Sequence, residues 1–98
     1  MIYVLATMTA VPGKAAELIK GARAAIDATR KEDGCISYDY VQDTENPNIL
    51  TVVERWTSRA ALEAHLQMPH LATWRAARKG LVAKTKVEII HADKVETI

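Results

Sequence analysis

Two titratable side chains interrupt apolar stripes in this sequence. Glu54 lies between Val52 and Trp56 on one face of an apolar run, and His65 comes three residues after Leu62 and one before Leu66. A carboxyl and an imidazole on buried stripes are candidates for general acid–base chemistry, because burial and neighbours move their pKa values toward the working pH. The alternative is that the two satisfy each other, or that they repair backbone freed by Pro69, which leaves the His65 carbonyl without its helical donor. Tyr38, Tyr40 and Trp74 can line a cavity and want a partner for their polar tips. His70 either reaches a pocket mouth or sits exposed at a helix start. Trp56, ending its run, reads as core.

Other chemistries find little support. His65 and His70 are five apart with Pro69 between them, a spacing that does not put two nitrogens on one helix face, and no CxxC, HExxH or EF-hand pattern is present. No metal is expected. Cys35 is the only cysteine, so an intrachain disulfide is impossible; a Cys35–His pair is conceivable, but a lone cysteine after Asp33-Gly34 is more often a small strand residue. Gly13, Gly21, Gly34 and Gly80 are scattered and form no phosphate loop. The densest basic stretch (Arg75, Arg78, Lys79, Lys84, Lys86) straddles a helix end and reads as capping and solubility. With a net charge of +1 and no recognisable motif, nucleic-acid binding is not expected.

The elements that position these residues follow from periodicity and breakers. Ile2 to Ala10 is a strand that stops at Val11-Pro12-Gly13. Ala15, Leu18, Ile19, Ala22, Ile26 and Thr29 recur at helical spacing, predicting a helix to about Lys31. Cys35–Gln42 and Ile49–Trp56 form an antiparallel hairpin across a polar turn at Asp43–Asn48. Ser58 is a candidate N-cap for a helix from Arg59, and Pro69 starts a second short helix that carries His70, Leu71, Trp74, Ala77 and Leu81. Thr85 to Ala92 is the last strand. The order β-α-β-β-α-(α)-β is the split βαβ of the ferredoxin-like fold, an α+β class, in a single domain over residues 1–98.

The strands do not alternate cleanly. Leu50, Val52 and Trp56 oppose Ile49 and Val53, while Ile2, Val4, Ala6 and Met8 oppose Tyr3 and Leu5. Both faces want burial, and helices can cover only one, so the other is expected to meet a second copy in a homodimer. The first residues read as a strand and not as a signal peptide, and no apolar run is long enough to span a membrane, so a cytoplasmic location is expected.

The pattern Glu32-Asp33-Gly34-Cys35, then Glu54-Arg55-Trp56 with Ser58, then His65-Leu66 and Pro69-His70 resembles the antibiotic biosynthesis monooxygenase family, and within it the small bacterial members described as quinol monooxygenases. The resemblance implies a dimeric α/β barrel. It also implies cofactor-independent oxygenation of a small quinol or aromatic by molecular oxygen, the substrate itself being the reductant. His65 or Glu54 is then the candidate base, with Tyr38, His70 and Trp74 orienting the ring. Haem-degrading relatives use a first-strand asparagine and a later histidine; Thr7 and Thr9 stand on this first strand and Arg75 near the expected ligand position, so haem degradation is disfavoured. An isomerase or lyase acting on a small carbonyl compound or phosphorylated signal is the runner-up, and a non-catalytic dimer that binds a small molecule is the competing class.

Overall fold

In the computed structural model, which describes residues 1–98, eight elements follow one another: β1 (Ile2–Ala10), α1 (Ala15–Gly21), α2 (Arg23–Thr29), β2 (Cys35–Gln42), β3 (Ile49–Trp56), α3 (Arg59–Leu66), α4 (Pro69–Ala77) and β4 (Val82–His91). The sheet order is β2-β3-β1-β4 with every pair antiparallel, the α+β, ferredoxin-like arrangement. No helix is long and apolar enough to cross a membrane.

Most boundaries have local causes. Ser58 adopts an extended conformation and its Oγ accepts from the Ala61 N–H at 3.1 Å, capping α3 as expected. Pro69 is the first residue of α4, where its missing N–H removes nothing. Two boundaries differ from the sequence reading. The single helix predicted to Lys31 is two segments joined at Ala22, whose N–H is shared between the Leu18 and Ile19 carbonyls at 3.1 and 3.3 Å. β4 starts at Val82 and not Thr85, because Ala10 pairs with Val82 beyond a bulge at Thr9/Ala10.

Val4, Met8, Leu50, Val52 and Trp56 on one sheet face are buried against Leu18, Leu62 and Trp74 from the helices. Each such side chain contributes roughly 1.5–3 kcal/mol when fully removed from water. A bulge between Cys35 and Ser37 makes Ile36 the extra residue, so that Cys35 and Tyr38 both face the helices, opposite Trp56 and Glu54. The helix layer stops short of β4. Val87 and Ile89, paired with Ala6 and Val4, remain 56% and 37% exposed, and a cleft opens along β1 and β4.

No helix covers the opposite face. Tyr3, Leu5, Ile49 and Val53 lie there half-buried, with Ile90 and Val41 exposed.

The turn into β2 matters for the site. Gly34 takes φ +82°, and a Cβ there would lie 2.5 Å from the Ala61 Cβ. Only a glycine lets this turn pass so close beneath α3. That close passage brings Glu32, two residues earlier, against His65.

Candidate active site

The cleft has about 80 Å³ of room and is walled mainly by apolar side chains of β1, β3, α3, α4 and β4. Its polar groups are few: Glu54 from β3, Tyr38 and Tyr40 from β2, His65 from α3, Arg75 and Arg78 from α4 and its C-terminal end, and Thr85 from β4. A largely apolar cavity with a few convergent polar groups is the usual form of a small-molecule site.

His65 and Glu54 do not bond each other. The Trp56 indole donates to Glu54 Oε1 at 3.0 Å, two residues along the same strand. Burial, reinforced by the charge of Glu32, pushes the Glu54 carboxyl up to about 7, although the Trp56 bond and Arg75 oppose the rise. Glu54 therefore changes protonation close to neutral pH.

His65 is held by a residue that showed no periodic signal. Its Nδ1 lies 2.8 Å from Glu32 Oε2, and its ring packs on Trp56 with centroids 4.8 Å apart. Burial pushes the His65 pKa below the ordinary histidine value, against the pull of the Glu32 bond and charge. The neutral ring thus carries its proton on Nδ1, donates it to Glu32, and presents Nε2 as an acceptor without a partner in the protein. This is the orientation that a carboxylate imposes on a catalytic imidazole.

His65 and His70 meet on one carboxylate, contrary to the expectation from their spacing. His70 Nε2 lies 2.7 Å from the same Glu32 oxygen, because the break at Pro69 starts a second helix that turns the two rings toward a third residue. Glu32, His65 and His70 offer donor atoms all within 4.8 Å of one another. The second Glu32 oxygen, Oε1, is buried without a partner. An unpartnered buried oxygen costs about 1–3 kcal/mol, and such costs gather where function needs the group.

His70 and Trp74, read from sequence as groups orienting a substrate ring, are not on the lining of this cleft; both border a separate groove between α2 and α4. Trp74 is buried and donates to the Tyr40 hydroxyl at 3.0 Å, so it acts on the cleft through Tyr40. Tyr38 does line the cleft, its ring set edge-on to that of His65 with centroids 5.7 Å apart, and burial pushes its phenol pKa well above the usual value. Arg75 and Arg78, read as helix-end solubility charges, also line it.

The model of the antibiotic biosynthesis monooxygenase family matches residues 1–77, the segment containing Glu32, Tyr38, Glu54, His65, His70 and Trp74. The chain belongs to that family. It is 31% identical over 98 residues to the Synechocystis protein sll1783, covering 99% of this chain and 67% of that one. The Escherichia coli protein named probable quinol monooxygenase YgiN is 35% identical over 69 residues, 62% of this chain and 66% of its own length. Among solved structures, Rv0793 from Mycobacterium tuberculosis superposes with a TM-score of 0.88 at 30% identity, covering 98% of each chain. A Deinococcus radiodurans structure reaches a TM-score of 0.92 at 29% identity over 100% of this chain and 98% of that one.

Proposed function

We propose that the cleft oxygenates a small quinol or other electron-rich aromatic with molecular oxygen, without a cofactor. The observation that supports this most is the Glu32–His65 pair, which presents a partner-free Nε2 to an apolar cleft beside a carboxyl that titrates at about 7. His65 Nε2 takes the phenolic proton. The resulting anion is electron-rich enough to reduce oxygen in a site from which the apolar walls exclude water. One oxygen atom enters the substrate and the other leaves as water; the four electrons needed come from the substrate. Glu54 holds or releases the second proton, and Tyr38 lies against the ring.

The family resemblance and the named quinol monooxygenase relative support this reading over an isomerase, which would use the same proton-handling pair without consuming oxygen. Chelator-treated protein should take up oxygen with one or more reduced quinols faster than their spontaneous oxidation. No uptake across quinols and hydroxylated aromatics would remove the oxygenase reading.

The working unit in this proposal is a homodimer formed through the uncovered sheet face. Val53 sits centrally there, paired with Leu5 and Asp39. Val53→Glu should shift the protein to monomer in sedimentation at micromolar concentration, since it would bury a carboxylate directly opposite the Asp39 carboxylate. A wild-type chain that is already monomeric there would refute the dimer.

A further inference from the structure

The protein has six arginines, and four of them have oxygen partners. Arg23 pairs with Asp27, Arg30 with Asp39 and Arg59 with Glu63, while Arg55 donates to the Ser37 hydroxyl. The exceptions are Arg75 and Arg78, and these are the two that line the cleft. Arg78 is half-buried, and its guanidinium donates only to the Met8 sulfur at 3.6 Å. A thioether is a weak acceptor, so most of the Arg78 donors are unused. Arg75 makes no hydrogen bond or ion pair. Both stand three residues apart on the same stretch of α4 and its end, hence on one helix side.

The remaining charge in the cleft does not balance them. Glu54 is pushed toward its neutral form, His65 is neutral, and Glu32 is spent on the two histidines. Two permanent cations with fixed, forked donors therefore face a small apolar chamber that supplies no full counter-charge. We propose that the substrate carries an oxyanion, a carboxylate or a phosphate ester, on its aromatic or quinol-like frame, and that Arg75 and Arg78 bind it. The remainder of the molecule then extends along the apolar wall toward His65 and Glu54. This rests on the cleft being the substrate site, but not on the reaction being an oxygenation.

Calorimetric titration of the full chain with two matched pairs tests it: hydroquinone against 2,5-dihydroxybenzoate, and phenol against phenyl phosphate. Charge-assisted hydrogen bonds of this kind predict that at least one acid binds about tenfold or more tightly than its neutral parent. The preference should weaken with added salt in the wild-type protein and fall to near parity in Arg75→Gln/Arg78→Gln, with Arg75→Gln alone, at an exposed position, giving a partial loss. Whichever acid is preferred identifies the oxyanion as carboxylate or phosphate. Equal binding of acid and parent, a preference unchanged in the double variant, or no binding of either acid would overturn the proposal. An acid preference without oxygen uptake leaves the anion site standing and removes the oxygenase reading; uptake of neutral quinols with no acid preference does the reverse.

Discussion

His65→Gln should lower kcat/KM for the best substrate by about 10²–10⁴-fold, the range that a positioned general base contributes. Glutamine keeps an amide donor for Glu32 and much of the volume packed on Trp56, but it cannot accept and hold a proton. Far-UV circular dichroism should be unchanged. Glu32→Gln should lower the rate through His65, by loosening the Nδ1 bond and letting the ring reorient. Because the two residues act as a unit, the double variant should be little worse than His65→Gln alone. Additive losses would mean that Glu32 and His65 do not work through each other. In the wild-type protein the acid limb of kcat/KM for the proposed reaction should lie below the ordinary histidine value, since burial lowers the His65 pKa and the base must be deprotonated.

The second large effect is on stability, and it has the opposite sign from most substitutions of a buried residue. The Glu54 carboxyl titrates at 4.5 in the unfolded chain and at about 7 in the folded one. The folded protein therefore holds more protons between those values, and stability falls as pH rises across that window. Above about pH 7 the ionised, buried carboxylate costs about 3 kcal/mol relative to its neutral form. Glu54→Gln removes that cost and keeps an oxygen for the Trp56 indole. At pH 8 the variant should melt about 12 °C or more above wild type, and at pH 4 the two should coincide. His65 contributes in the other direction, losing stability as pH falls below its unfolded value, but it does so equally in both proteins and cancels from the difference. Thermal melts at matched protein concentration across pH 4–8 measure this; a pH-independent difference would contradict the burial of an ionised Glu54.

The fold could be read from the chain because its signals are local. Pro12-Gly13 and Asp33-Gly34 end elements, Ser58 caps α3, and strand residues are apolar on both faces. Glu54 and His65 announced themselves as polar groups on apolar stripes. Glu32 did not, because it sits in a turn with no periodicity and reaches His65 and His70 across separations of 33 and 38 residues. The only hint was its place in the motif before Gly34, and the reason is now physical: the tight Gly34 turn sets its depth under α3. Arg75 and Arg78 were hidden by their position, since cations at a helix end have a sufficient explanation in the helix dipole. Trp74 looked like a pocket wall by spacing, but Gly21 admits its indole against α1, with a ring atom 3.0 Å from where a Cβ would lie.

The measurement that bears most directly on the proposed oxygenation is turnover of a reduced quinol under ¹⁸O₂ by chelator-treated protein, with His65→Gln alongside. Incorporation of one ¹⁸O per product molecule, with the second label in water and no hydrogen peroxide, is the expected result, and it should vanish in the variant. Product without label, or label incorporated equally well by His65→Gln, would contradict an oxygenase driven by His65.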